Sequence, residues 1–209
     1  MDEILVTNKQ FALVVGHNSI NQGANNYLGE SEYSFNCRIA EAVARNLALQ
    51  GVRCIVFKHN PLYFRYNSQQ WKDVADRVSK AGIAHAIMLH FNSFYTPVSR
   101  TEALCIHTQD NVEMARIFLD NMEGAFFFET KEVKIDIEDK DIDRGEIESS
   151  YFNAQGISSI VAEPVFGNFE TENSRLFFHN ENLYCKVLQN TIKEVLIPDY
   201  KTIIGGNRV

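Results

Sequence analysis

The sequence contains only four cysteines and no long apolar run, and each of these shortages excludes a class of protein. No two cysteines form a CxxC pair, so a zinc site built from thiolates is not expected. Each cysteine instead lies in a segment with helix or strand periodicity, which is typical of buried free thiols in a reducing compartment. No stretch approaches the roughly 18 consecutive apolar residues of a membrane-spanning helix. The cysteines are Cys37, Cys54, Cys105 and Cys185.

Positive charge is also scarce. The 20 Lys and Arg residues face 27 Asp and Glu residues, which gives a formal net charge of -7, and no basic cluster is visible. Because phosphate binding requires a concentrated basic surface, we do not expect nucleic acid as the main partner. The first ten residues carry acidic side chains where a secretory signal has basic ones, so we expect synthesis in the cytoplasm without a signal peptide.

What the chain does contain is an alternation of short apolar runs and amphipathic helices. Residues 11–16 predict a buried strand, and residues 52–57 predict a second one. Between them, residues 32–50 predict a helix, with Ser31 as its N-cap and an apolar stripe that includes Phe35 and Ile39. A strand, a helix and a strand in this order predict parallel pairing with a right-handed crossover.

The remaining chain repeats this pattern. Its predicted elements are a helix from Ser68 to Gly82, strands at 85–90 and 103–107, a helix opened by a capping box at Asp110 and Glu113 and stopped by Gly124, a strand at 157–163, and a final helix that ends before Pro198. We therefore expect one three-layer α/β/α domain over residues 1–198, with a C-terminal tail over residues 199–209. Its sheet should be mixed but mostly parallel, with five or six strands and helices on both faces.

The segment 131–148 is acidic and highly charged. Val133, Ile135 and Ile137 alternate with charged residues, which predicts a short, half-exposed strand. The rest of the segment resembles a solvated excursion, to which we assign no chemistry.

Four ionisable residues stand where the predicted fold would bring them together. His17, His90 and Glu163 each follow or end a buried strand, and Glu32 opens the first helix. The carboxyl ends of parallel strands share one edge of the sheet, where ligands bind in α/β folds. Two imidazoles and a carboxylate are the ligands of many catalytic zinc sites. On this logic one of the two glutamates is a ligand, and the other is a general base.

Some alternatives remain open at this stage. His90 alone would be interpreted as a structural histidine, and only the other three residues change that interpretation. Glu30 competes with Glu32, although helix periodicity and Asn36 favour Glu32. Asn92 could contact a substrate or orient His90. The other histidines are expected to be structural or exposed, with His107 the most credible spare: His59, His85, His107 and His179.

Four motifs follow one another along the chain in a familiar order: Gly16-His17 with Gly23-Ala24, Glu32 with Asn36, His90-Phe91-Asn92-Ser93, and Glu163 with Phe166 and Asn168. In this respect the sequence resembles the zinc-dependent N-acetylmuramoyl-L-alanine amidases, a family that includes bacterial cell-division and sporulation amidases and phage lysins. The resemblance covers residues 11–196. It implies that His17, Glu32 and His90 bind one Zn²⁺ per chain and that Glu163 is the catalytic carboxylate.

The resemblance also implies a reaction and a partner. The enzyme would hydrolyse the amide between the lactyl group of N-acetylmuramic acid and L-alanine, as a monomer acting on peptidoglycan or muropeptides. Without a signal peptide, it would reach the cell wall only after release. The sequence departs from the family pattern at two places, Asn18-Ser19 and Thr101-Glu102-Ala103. These differences leave open a zinc hydrolase that acts on another acyl-amino acid or peptide. A non-catalytic wall-binding module is the third possibility.

Overall fold

The structure, a computed structural model, describes residues 9–62, 68–127, 131–135, 144–197 and 200, and for residues 131–135 and 144–146 it describes the backbone alone. These residues form six strands and six helices. The strands are β1 (Gln10–Val15), β2 (Arg53–Lys58), β3 (His85–Leu89), β4 (Thr101–Cys105), β5 (Lys131–Ile135) and β6 (Ser158–Glu163). The helices are α1 (Glu32–Ala48), α2 (Ser68–Lys80), α3 (Gln109–Phe126), α4 (Arg144–Asn153), α5 (Glu172–Phe178) and α6 (Glu181–Leu196).

The six strands form one sheet in the order β2-β1-β3-β6-β4-β5. The pairs β1 with β2, β1 with β3, β3 with β6 and β4 with β5 are parallel, whereas β4 runs antiparallel to β6. The predicted mixed, mostly parallel sheet is therefore confirmed. The central strands are buried on both faces, which explains why they appear in the sequence as continuous apolar runs.

Helices cover both faces of the sheet, as predicted. One face packs against α1, α3 and α6, and the core on that side includes Leu13, Ile87, Phe118 and Leu188. The other face packs against α2 and α4, around Val14, Met88, Val74 and Phe152. Successive side chains of a strand point to opposite faces, so each central strand contributes alternate residues to each of these two cores.

The first helix forms where its sequence pattern predicts it. The Ser31 side chain accepts a hydrogen bond from the backbone N–H of Ser34 at 3.3 Å, which satisfies one of the unpaired donors at the start of α1. Phe35, Ile39 and Val43 are buried on the face that meets the sheet. Complete burial of an aliphatic or aromatic side chain contributes about 1.5–3 kcal/mol, so this stripe anchors α1 to the sheet.

Both predicted ends of α3 were wrong. The N-cap of α3 is Thr108, whose side chain accepts from the backbone N–H of Asn111 at 3.2 Å, so the helix does not open at Asp110. It also continues past Gly124 to Phe126 and ends where Phe127 adopts a left-handed conformation with φ 54°. Buried contacts of Phe126 outweigh the low helix propensity of one glycine.

The charged segment 131–148 also departs from expectation. The predicted strand exists as β5 beside β4, but Ile137 and the exposure of the β5 side chains lie outside the described residues. The expected solvated excursion was wrong for Glu148, which is buried within α4. That helix packs on β6 through Phe152 and through Ser149, whose hydroxyl donates to the carbonyl of Ser159 at 3.0 Å.

The C-terminal prediction is only partly covered by the described residues. The last helix ends at Leu196, close to the expected stop before Pro198. Of the predicted tail at 199–209, the structure describes Tyr200, which is buried and whose hydroxyl accepts from Lys193 Nζ at 3.3 Å. None of the described helices combines the length and the apolar character that crossing a membrane requires.

Candidate active site

The carboxyl ends of β1, β3 and β6 lie side by side. Backbone hydrogen bonds continue past the strands, from Gly16 N–H to the Leu89 carbonyl and from His90 N–H to the Ala162 carbonyl, each at 3.0 Å. His90 directly follows β3, and Glu163 is the last residue of the neighbouring strand. Adjacent strands are about 4.8 Å apart, so the predicted residues share one edge of the sheet.

His17, Glu32 and His90 form a compact group at this edge. One oxygen of Glu32 lies 2.7 Å from His90 Nδ1, and its other oxygen lies 3.3 Å from His17 Nε2. The three potential ligand atoms all lie within 4.8 Å of one another. The two imidazole rings meet edge to face, with centroids 5.2 Å apart. The structure thus brings together the three residues that the resemblance assigns to a metal.

The start of α1 positions the Glu32 carboxylate. It accepts hydrogen bonds from the backbone N–H groups of Phe91 at 3.2 Å and Ala24 at 3.3 Å. The positive end of the helix dipole further favours a negative charge there. One turn later, the Asn36 amide donates to the Leu89 carbonyl at 3.0 Å, which holds α1 against the end of β3.

Glu30, the competing candidate, lies outside this group. Both of its oxygens accept from the guanidinium of Arg38 at 2.8 Å, on the exposed side of α1. The geometry therefore favours Glu32 as the carboxylate of the group.

Two glycines make room for the group, and one histidine carries backbone strain. A Cβ atom on Gly16 would stand 2.3 Å from the His90 ring, and one on Gly23 would stand 2.6 Å from Glu32 Oε2. His17 has φ 62°, a left-handed conformation that costs free energy for a residue other than glycine. Such conformations persist where the surrounding structure imposes them, commonly at functional sites.

The group concentrates charge in a buried setting. Burial by itself would raise the pKa of Glu32, but hydrogen bonds from His17 and His90 outweigh burial and lower that pKa to about 2. Burial by itself would lower the pKa of His90, but contacts with the carboxylates of Glu148 and Glu32 outweigh burial and raise the pKa well above its ordinary value. An ionised, buried carboxylate between two imidazoles favours a cation at this place.

A second buried glutamate, Glu148 of α4, contacts the other side of His90. Its Oε2 lies 3.4 Å from His90 Nε2, and its Oε1 lies 3.8 Å from His59 Nε2. Burial lowers the pKa of His59 to about 4, so this imidazole is neutral near pH 7. Sequence reasoning missed Glu148 because α4 buries Glu148, Ser149 and Phe152, and two of these three positions are polar.

Glu163 belongs to a pair of carboxylates bridged by Asn92. The Asn92 amide donates to Glu163 Oε2 at 2.6 Å and to Glu102 Oε2 at 3.1 Å. Glu102 and Glu163 are direct partners in the antiparallel β4–β6 pair, and Arg100 forms an ion pair with Glu102. Sequence reasoning also missed Glu102, because the strand was predicted at 103–107, whereas β4 begins two residues earlier, at Thr101.

The two motif residues after β6 support the same edge of the sheet. The amide of Asn168 pairs with the backbone of Phe94, accepting from its N–H at 3.2 Å and donating to its carbonyl at 2.8 Å. Phe166 forms a backbone bridge with Asn92. Together they hold the loop that follows β3.

His107, the spare candidate, lies away from this site. Since β4 runs antiparallel to β6, the residues after β4 reach the opposite edge of the sheet, where His107 is exposed. His179 lies on the surface, 3.2 Å from the Tyr27 hydroxyl.

The donor set of His17, Glu32 and His90 suits a divalent metal ion. Two imidazole nitrogens and a carboxylate oxygen are characteristic ligands of catalytic zinc, and three protein ligands leave a further position for water or substrate. The space that Gly16 and Gly23 leave open and the negative charge of Glu32 are consistent with a bound cation. These three residues can hold a metal ion.

The sequence matches no protein-family model and no curated protein. Solved structures do match its fold. The N-acetylmuramoyl-L-alanine amidase AmiC2 of Nostoc punctiforme is similar with a TM-score of 0.69 and 15% identity, over 91% of this chain and 98% of that one. The N-acetylmuramyl-L-alanine amidase Ami1 from Mycobacterium smegmatis gives 0.68 and 14%, over 91% and 98%. The CwlD amidase from Clostridioides difficile, solved with the GerS lipoprotein, gives 0.68 and 18%, over 94% and 100%. The chain therefore has the fold of the N-acetylmuramoyl-L-alanine amidases.

Proposed function

We propose that the chain is a zinc-dependent hydrolase that cleaves the amide between the lactyl group of N-acetylmuramic acid and L-alanine. The observation that carries this proposal is the group of His17, Glu32 and His90, which lies on the same sheet edge as Glu163. An amidase fold supplies the context for this arrangement. Peptidoglycan or its soluble muropeptides would be the substrate.

Each residue of the site has a distinct task in this proposal. His17, Glu32 and His90 would hold the zinc ion. When bound, zinc supplies a Lewis acid that polarises the scissile carbonyl and lowers the pKa of a water molecule to about 7. The hydrogen bonds that Glu32 accepts from Ala24 and Phe91 would hold its carboxylate in one orientation for the ion.

Glu163 would act as general base and then as general acid. It would take a proton from the water that attacks the carbonyl carbon, and it would deliver a proton to the leaving nitrogen as the C–N bond breaks. The products are the lactyl carboxylate and a peptide with a free N-terminal alanine. The hydrogen bond from Asn92 at 2.6 Å would hold the Glu163 carboxylate in one orientation.

The test is the variant Glu163→Ala, with Glu30→Ala as a matched control on the same side of the fold. Loss of a general base should lower the rate of muropeptide hydrolysis by about 10²–10⁴-fold. Zinc content should stay unchanged, because Glu163 is outside the metal group. Full hydrolytic activity of Glu163→Ala would sink the assignment, as would a zinc-free wild-type protein.

We propose that residues 1–198 form the catalytic domain and that this domain works as a monomer. The single six-stranded sheet, flanked by helices as far as Leu196, supports one catalytic unit. Light scattering on the purified protein tests the monomer, for which the sequence gives a mass of 23.9 kDa.

A further inference from the structure

His90 is held between two buried glutamates from different helices. Glu32 of α1 contacts Nδ1 at 2.7 Å, and Glu148 of α4 contacts Nε2 at 3.4 Å. His90 is 7% exposed, Glu32 2% and Glu148 1%, so all three groups are largely removed from water. Each nitrogen of the ring thus faces its own carboxylate.

The two contacts are not equivalent. Nδ1 is the His90 nitrogen that faces Glu32, and the Glu32 carboxylate also contacts His17. The group whose ligand atoms lie within 4.8 Å of one another includes Glu32 but not Glu148. Glu148 therefore lies on the far side of the ring from this group.

We propose that Glu148 is a positioning residue for the metal centre: it accepts a hydrogen bond from His90 Nε2–H and so directs the Nδ1 lone pair towards the ion. A histidine that binds a metal generally donates its other ring N–H to a carboxylate, a carbonyl or a water, which fixes its tautomer and raises its basicity. This inference rests on the metal site proposed above. It assigns a task to a residue that the resemblance does not include.

The surroundings of Glu148 are those of a fixed support. A buried carboxylate is costly unless it is paired, and here its two oxygens face two different imidazoles, those of His90 and His59. The helix that carries Glu148 is anchored by Phe152, which is fully buried in the core on that face of the sheet. This packing places Glu148 beside the end of β3.

The experiment compares zinc affinity in three variants of the full chain, measured by competition with a chromophoric chelator. Glu148→Ala removes the acceptor, and Glu148→Gln keeps an acceptor oxygen without the charge. Ser149→Ala is the matched control, because it weakens the packing of the same helix without touching His90. Long-range ¹H–¹⁵N spectra of the zinc-loaded proteins report which ring nitrogen of His90 carries the proton.

We expect Glu148→Ala to lower zinc affinity by about 10–100-fold, the range seen when such supporting carboxylates are removed. Glu148→Gln should restore part of this loss but stay about threefold or more below wild type, since a neutral acceptor is weaker than a charged one. Ser149→Ala should bind zinc like wild type even where its melting temperature falls. In wild type the proton should be found on Nε2.

Three results would overturn the inference. One is a Glu148→Ala variant that binds zinc within twofold of Ser149→Ala. The second, which applies if Glu148→Ala does not fold, is a Glu148→Gln variant that binds zinc within twofold of Ser149→Ala. Another is a His90 proton on Nδ1 in the zinc-loaded wild type. Failure of wild type to bind zinc at all would instead contradict the proposed function, so the two failures are distinguishable.

Discussion

The first turn of α1 and the middle of α4 each bring a buried glutamate to His90, from opposite sides of the ring. Glu32 and Glu148 are the same residue type, are buried to the same degree, and contact one ring nitrogen each. They differ in their second contact. Glu32 reaches His17, whose side chain is 18% exposed, whereas Glu148 reaches His59, whose side chain is fully buried.

In the proposed zinc site, this difference separates the ligand from the residue that supports it. A catalytic metal needs an open position for water or substrate, so its ligands must line a surface that the solvent reaches. The Glu32 side of His90 meets that requirement through His17, and the Glu148 side does not. Residue type and burial alone would give both glutamates the same role, and only the neighbouring histidine tells them apart.

The largest effect should come from breaking the α1 side. Glu32→Ala removes one of the three proposed ligands and the carboxylate that bridges the two histidines, so zinc affinity should fall by more than the roughly 100-fold upper range for supporting residues. The same chelator competition measures it. The comparison fails if Glu32→Ala binds zinc more tightly than Glu148→Ala does.

A smaller effect should come from crowding His90 without removing any ligand. Gly16→Ala would place a Cβ 2.3 Å from the ring, so the ring or the backbone at residue 16 must shift, and the contacts of His90 with both glutamates should weaken. Overpacking of this kind destabilises a fold by about 1–3 kcal/mol, and zinc affinity should fall with it. Urea unfolding and the chelator assay check both effects.

Gly124→Ala provides the control for this substitution. Gly124 lies within α3, and a Cβ there meets nothing within 4 Å. It should leave zinc affinity unchanged and stabilise the fold by about 0.5–1 kcal/mol through helix propensity. Equal zinc affinity for Gly16→Ala and Gly124→Ala would show that His90 tolerates displacement.

The smallest effect should come from Glu30→Ala, which removes the other glutamate near the start of α1. An exposed ion pair such as Glu30 with Arg38 contributes about 0–1 kcal/mol. Zinc affinity should not change. A loss of zinc in Glu30→Ala, with zinc kept in Glu32→Ala, would show that Glu30 and not Glu32 is the ligand.

Much of the site could be predicted because its residues follow strong local patterns. His17, His90 and Glu163 come at the ends of apolar runs, and Glu32 opens a helix with a regular apolar stripe. Parallel pairing then brings these positions to one edge, so local pattern and topology agree. Asn36 was available as a signal too, because the motif places it one turn after Glu32.

Glu148 and Glu102 could not be predicted in this way. Both are polar residues at buried positions. The sequence of α4, which contains Glu148, lacks a regular apolar pattern, and Glu102 comes before the apolar run of β4. Their partners lie in other elements of the fold, His90 for Glu148 and Asn92 for Glu102, and no local period reveals such contacts. Glu148 lies in the charged segment 131–148. Because a run of charge generally marks a solvated face, its burial was not predicted.

Hydrolysis of a purified muropeptide in ¹⁸O-labelled water tests the central claim most directly. Mass spectrometry of the products should show one ¹⁸O atom in the lactyl carboxylate of N-acetylmuramic acid and none in a released peptide that begins with L-alanine. Zinc-loaded wild type should give these products, and Glu163→Ala should give almost none. Label in a peptide carboxylate, cleavage between sugars, or an intact muropeptide after incubation with the zinc-loaded protein would contradict the account.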